Sequence, residues 1–257
     1  MFADLARLLD LTEAGLTGFI LVFARVGGVM SLLPAFGEQT IPVRVRLALA
    51  IAFAVVVWPM VAPALGIPER PFVALLMIEA TIGVMLGFVT RLMVFALQLA
   101  GTVIAQSTAL AQIFGAGVAP DPMPAIGNFL VLAGLTLAVA SGLHVKAAIL
   151  MARSYEVLPI GLLPDAAEAA RWGVARIAES FALGFSLAAP FVIAAFAYNL
   201  ALGAINRAMP QLMVAFIGAP AITAGGMLLL MLAAPVILRV WNGRLDLLLA
   251  GPFGMPR

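Results

Sequence analysis

The sequence predicts an all-α integral membrane protein with about six hydrophobic helical segments, each long enough to cross a bilayer. Two observations carry this reading. The 257 residues are 64% hydrophobic and only 10% charged, with a mean hydropathy of +1.16; a soluble domain carries about 25% charged residues to keep its surface wet. Apolar runs of roughly 20 residues also recur between tracts rich in proline, glycine and arginine, and a helix of that length spans a hydrocarbon core of roughly 30 Å. Polar material is too scarce to cover a globule, so lipid or protein replaces water as the neighbour.

The first run extends from Ala14 to Leu33 and stops at Pro34-Ala35-Phe36-Gly37. A short polar loop with Glu38, Pro42, Arg44 and Arg46 leads to the second, Leu47 to Leu65, which ends among Pro59, Pro63, Pro68 and Pro71. The third stays apolar from Phe72 to Phe114, interrupted by Glu79, Arg91, Gln98, Gln106 and Gln112. It admits two readings: one long tilted helix, or two segments broken near Thr90-Arg91. Gly115, Gly117, Pro120, Pro122 and Pro124 then end any helix, because proline lacks the N–H donor and glycine is conformationally loose.

The fourth run is Ala125 to Met151, closed by Leu158-Pro159-Ile160-Gly161. A more polar amphipathic stretch, Asp165 to Glu179, leads into the fifth run, Ser180 to Leu202. The turn Asn206-Arg207-Ala208-Met209-Pro210-Gln211 separates it from the sixth, Leu212 to Val240, and a tail with Arg244, Asp246 and Arg257 follows. With six crossings, Arg7, Arg70, Arg153, Arg171, Arg176, Arg239, Arg244 and Arg257 fall on one side, against Arg44, Arg46 and Arg207 on the other. The positive-inside rule then places both termini in the cytoplasm. Asp4, Asp10 and Glu13 stand where a cleavable signal peptide has its basic region, so the first run is expected to stay in the membrane.

The net charge of +2 does not point to nucleic acid, because the arginines and the single Lys146 are scattered and phosphate binding needs a cluster. The absence of cysteine excludes disulfides, thiolate metal sites and cysteine nucleophiles. His144 is the one histidine, so neither a His-pair metal site nor an HExxH helix can form. A serine nucleophile would have only His144 as base and lacks a GxSxG elbow. No GxGxxG or Walker loop is present. Catalytic, cofactor-binding and metal residues are therefore expected to be none, and His144 is expected on a helix face near a membrane boundary.

Ionisable residues inside apolar runs are costly in lipid, on the order of 3 kcal/mol each, and so face protein or water. Arg25, Glu79, Arg91 and Lys146 qualify. They either form a proton or ion relay or pair with one another and with partner subunits; Glu79 stands nearly alone among acids, which favours pairing. Gly83 and Gly87 form a GxxxG, with Gly27-Gly28 and Gly225-Gly226 on other segments, as close helix contact in lipid requires. Irregular backbone at membrane depth survives only where protein buries it or it lines water. The Gly115 to Pro124 tract is accordingly either a constriction loop in a conduit or an external connection.

Three ordered stretches resemble the FliR family of flagellar export proteins, whose relatives in virulence secretion are called SctT. The first is Phe23-Ala24-Arg25-Val26-Gly27-Gly28, continuing through Pro34-Ala35-Phe36-Gly37 to Ile41-Pro42-Val43-Arg44-Val45-Arg46-Leu47. The second is Leu158-Pro159-Ile160-Gly161, and the third is Gly203-Ala204-Ile205-Asn206-Arg207-Ala208-Met209-Pro210-Gln211-Leu212, with Gly218 and Pro220 after it. Their order, spacing and the chain length fit the family.

The resemblance implies a non-enzymatic subunit that joins FliP-like and FliQ-like subunits in an export gate of helical hairpins in the bacterial inner membrane. It also implies FlhB-like and FlhA-like partners, with unfolded flagellar proteins in transit. It divides the chain into a FliP-like part, residues 1–163, and a FliQ-like hairpin with tail, residues 164–257. It puts a plug loop at about Ser107 to Asp121, with Gln112, Ile113, Phe114, Gly115 and Gly117 at the constriction. Family plugs often read Phe-Phe-Asp-Pro, whereas this chain has Ile113-Phe114-Gly115 and delays Asp121-Pro122; Met213 stands where an Asn is common. Arg25, Arg44, Arg46, Glu79, Asn206, Arg207, Pro210 and Gln211 are expected at subunit interfaces or helix ends, where arginine satisfies carbonyls or partner carboxylates. The alternative is a stand-alone secondary transporter or small channel, with a mid-membrane site of ionisable residues. An intramembrane hydrolase lacks a nucleophile pair and an Asp pair.

Overall fold

The computed structural model describes residues 13–62, 66–108, 125–209 and 214–254, with side chains described for residues 15–62, 66–108, 125–209 and 221–254. Among these, seven α-helices carry the chain: α1 Glu13–Leu32, α2 Val43–Val61, α3 Phe72–Ser107, α4 Ala125–Ala140, α5 Leu143–Val157, α6 Ala166–Ala208 and α7 Val214–Ala250. Five are long and apolar enough to cross a membrane, and the pair α4 and α5 makes a sixth span if counted together.

Local chemistry explains the boundaries. Proline precedes α2, α3 and α4, where its fixed φ suits a helix start and its missing N–H is no loss. Asp165 caps α6, its Oδ1 accepting from the backbone N–H of Ala167 at 2.9 Å and of Glu168 at 3.1 Å, as an N-cap carboxylate does. The end of α1 closes with the Gly37 N–H donating to the Leu33 carbonyl at 2.7 Å. Ala35 adopts a left-handed φ of 67° there, a conformation that glycine usually supplies.

The structure decides between the two readings of the third run, divides the fourth run, and joins the fifth to the stretch before it. The third run is one continuous helix through Thr90-Arg91 as far as Ser107. The fourth run is not one helix: it breaks at Ser141-Gly142, where Gly142 has φ 86°, and α4 and α5 bend by 74°. The amphipathic stretch and the fifth run fuse into α6, 43 residues long and about 65 Å at 1.5 Å per residue.

The chain divides into two compact units. Unit 1 comprises residues 1–92, 138–177 and 245–257. Its core joins α1, α2, the first part of α3, and α5 through Leu21, Val26, Trp58, Ile82, Leu86 and Met151. Phe19 meets Trp58 edge-on at 6.2 Å. The α1–α3 crossing depends on missing side chains: a Cβ on Gly83 would lie 2.1 Å from the Arg25 carbonyl oxygen, and one on Gly28 would lie 2.8 Å from that of Ala80. At the base of α6, Trp172 stacks on Phe253 and donates from Nε1 to the Pro252 carbonyl at 3.0 Å.

Unit 2 comprises residues 93–137 and 178–244. Leu97, Ile104, Leu130, Phe191 and Trp241 are buried within it. Trp241 donates from Nε1 to the Met93 carbonyl at 2.6 Å, so its one polar atom is satisfied as a buried indole requires. Here α3 and α4 approach through Gly101 and Gly127, where a Cβ on Gly101 would stand 2.3 Å from the Gly127 Cα.

Candidate functional site

The polar centre of unit 1 is built by three helices and one turn. Arg25 comes from the middle of α1, Glu79 from the second turn of α3, and Ser154 and Tyr155 from the end of α5. The turn after α5, Leu158-Pro159-Ile160-Gly161, closes it; Leu158 is the C-cap of α5 and Gly161 takes φ 74°. Both charged side chains are completely buried.

Arg25 spreads its donors in three directions. Its Nε donates to Glu79 Oε2 at 2.7 Å, its Nη1 to Ser154 Oγ at 3.0 Å, and its Nη2 to the Leu158 carbonyl at 2.9 Å. Ser154 donates its own O–H to the Met151 carbonyl at 2.7 Å, leaving its oxygen free to accept. Glu79 uses its second oxygen, Oε1, to accept the Gly161 N–H at 3.0 Å. The Arg25 guanidinium lies over the Tyr155 ring, 3.7 Å from the centroid. The planar, always-charged guanidinium suits such a forked and stacked site, which lysine cannot reproduce. Only the Tyr155 hydroxyl, buried as well, finds no partner among the described residues.

Three other charges on the helices of unit 1 are matched as well. Arg91 Nη1 pairs with Glu38 Oε1, both side chains about four-fifths buried. Lys146 Nζ pairs with Asp246 Oδ1 at 2.7 Å on a more exposed surface. Arg176 donates from Nη2 to the Gly254 carbonyl. Among the described residues, no group of three or more His, Asp or Glu gathers as a metal site would need. His144 is exposed. The buried centre holds backbone and pairs charges.

The remaining sequence-singled residues scatter. Arg44 is exposed and Arg46 half-buried in the first turn of α2, the positive end of the helix dipole, and Arg46 Nε is shielded without a partner among the described residues. Asn206 and Arg207 are exposed at the end of α6, where the dipole favours the cation. Gln112, Ile113, Phe114, Gly115, Gly117, Pro210 and Gln211 lie outside the described residues. Sequence reasoning singled out Arg25 and Glu79 but not Ser154, Tyr155 or the backbone groups of Leu158 and Gly161. Its available signal was two polar residues, Ser154 and Tyr155, one turn before a Leu-Pro-x-Gly break.

Residues 16–248 match the family described as bacterial export proteins, family 1. The chain is 35% identical over 230 residues to the flagellar biosynthetic protein FliR of Caulobacter vibrioides, covering 87% of this chain and 91% of that protein. It is 29% identical to FliR of Aquifex aeolicus, covering 88% of each. With FliR of Escherichia coli K12 the identity is 30%, covering 83% of this chain and 82% of the relative.

Proposed function

The chain belongs to the bacterial export proteins, family 1, and from that premise we propose that it is a core subunit of a flagellar protein-export gate. The family is one of flagellar export proteins, not of enzymes, and the long apolar helices are those of a membrane-embedded member. In this reading it joins FliP-like and FliQ-like subunits in the inner membrane at the flagellar basal body, beside FlhB-like and FlhA-like components. Unfolded flagellar proteins pass through the assembly, and the loop near Gln112 to Gly117 contributes its plug. Residues 1–163 act as the FliP-like part and residues 164–257 as the FliQ-like hairpin with its tail.

The match across nearly the whole chain carries the reading: the full-length similarity to FliR of Caulobacter vibrioides leaves little of the sequence for another activity. Spent charges support it from the structure. Arg25, Glu79, Arg91 and Lys146 each pair within the chain, whereas a transporter needs ionisable groups free to meet an ion at mid-membrane.

The test is export itself: deletion of the gene, followed by assay of the culture medium for hook and filament subunits. Loss of both, restored by the intact gene, is the expected result. Normal secretion and motility in a strain with no second copy would refute the gate role and turn attention to solute transport.

A further inference from the structure

A buried ion pair is a poor device for stability alone, because desolvating two charges offsets most of their attraction, and well-packed apolar residues often do as well. Arg25 and Glu79 nonetheless bury two full charges. What distinguishes them from a filler pair is where their remaining bonds go. Arg25 holds the carbonyl of Leu158 and Glu79 holds the N–H of Gly161, two backbone groups of one turn, three residues apart.

We propose that the Arg25–Glu79 pair is a positioning clamp that sets the junction between α5 and α6. α1 and α3 each supply one jaw, and the pair locks the jaws together at 2.7 Å. Between them the chain makes a tight turn, with the Leu162 N–H donating to the Pro159 carbonyl at 3.2 Å. Gly161 sits so close to α3 that a Cβ there would lie 2.6 Å from Leu75 Cδ2. Four residues on, Asp165 caps α6, so the place where that 43-residue helix begins follows from the clamped turn. Ser154 orients the Arg25 fork and the Tyr155 ring supports its face. The clamp rests on the gate reading in one respect: the turn lies at the join between the FliP-like and FliQ-like parts, so misplacing it misplaces the hairpin offered to the partners.

The chain has no cysteine, so a single reporter gives a clean signal. Ile160 lies in the turn and is 5% exposed. In the full-length protein, with its partner subunits in native membranes, Ile160→Cys is labelled by a maleimide with and without the double substitution Arg25→Met and Glu79→Leu. The apolar pair removes the clamp without stranding a charge. Labelling at least tenfold faster, with membrane abundance kept and hook-subunit secretion down at least tenfold, is the expected result. Unchanged labelling overturns the clamp; where deletion of the gene abolishes secretion, unchanged secretion despite faster labelling overturns it too. Should the double variant fail to accumulate, Arg25→Lys carries the same test, because it keeps the charge and loses the fork; labelling at the wild-type rate again overturns the proposal. Labelling is read without secretion, so a clamp that holds in a strain whose deletion exports normally refutes the gate role and not the clamp.

Discussion

Arg25 donates from Nε to Oε2 of Glu79 at 2.7 Å, across 54 residues of sequence and with both side chains fully buried. Removing one partner leaves the other charged in an apolar core, which costs about 3–5 kcal/mol. Arg25→Met alone and Glu79→Leu alone are therefore each expected to cut membrane abundance severely and lower the thermal midpoint in detergent, and each more than the double substitution does. A loss in the double equal to the sum of the two single losses would show that the charges do not depend on each other. Lys146→Met provides the contrast. Its pair with Asp246 is 30% and 39% exposed, and exposed pairs contribute roughly 0–1 kcal/mol, so little change is expected.

Close contact between α1 and α3 is as demanding as the ion pair beside it. A Cβ on Gly83 would stand 2.1 Å from the Arg25 carbonyl oxygen, while one on Gly27 would meet nothing within 4 Å. Gly83→Ala must push the helices apart, and overpacking of this kind costs about 1–3 kcal/mol. Gly27→Ala is expected to be neutral or to stabilise by up to about 1 kcal/mol, since alanine is the better helix former. Thermal midpoints of the two purified variants check this; a Gly83→Ala protein as stable as Gly27→Ala would contradict the packing.

Hydropathy made the spans legible and left their joints obscure. The first two runs correspond to α1 and α2 because lipid-length apolar stretches ended by proline have few other outcomes. Ser141-Gly142 was passed over because a two-residue break barely lowers hydropathy when both flanks are apolar, yet Gly142 at φ 86° divides α4 from α5. Conversely, the amphipathic stretch and the fifth run make one helix: they differ in their surroundings, not in backbone preference, and nothing between Ala166 and Ala208 ends it, Pro190 included. At the buried centre, the cost of charge in lipid singled out Arg25 and Glu79 individually. Their shared hold on Leu158 and Gly161 was invisible, because backbone partners leave no side-chain signature and lie 82 and 133 residues away.

Tyr155 supports the Arg25 guanidinium with its ring while its hydroxyl is buried without a partner among the described residues. An unsatisfied buried polar group costs about 1–3 kcal/mol. Tyr155→Phe keeps an aromatic face under the cation and discards the unpaired hydroxyl, so it is expected to leave the thermal midpoint unchanged or raise it. Tyr155→Ala removes the ring and opens a cavity, with a loss of about 3–5 kcal/mol of the kind seen for buried aromatics. A clear drop in stability for Tyr155→Phe would mean that the hydroxyl is engaged after all.

The proposed plug turns on Gly115 and Gly117 following Ile113-Phe114. A seal inside a conduit must be apolar enough to exclude ions yet free to move aside for a passing chain. Glycine supplies that freedom because it lacks a Cβ and visits left-handed conformations readily. Deleting Gly115 to Pro120 shortens the loop and keeps Gln112, Ile113 and Phe114. The expected outcome is a gate that assembles but leaks: cells carrying the deletion take up or lose small ions faster than wild type, with normal membrane abundance of the subunit. The leak should vanish when the FliP-like partner is also deleted, because it then has no conduit to pass through. Unchanged ion permeability with the shortened loop would remove these residues from the seal and favour an ordinary external connection between α3 and α4.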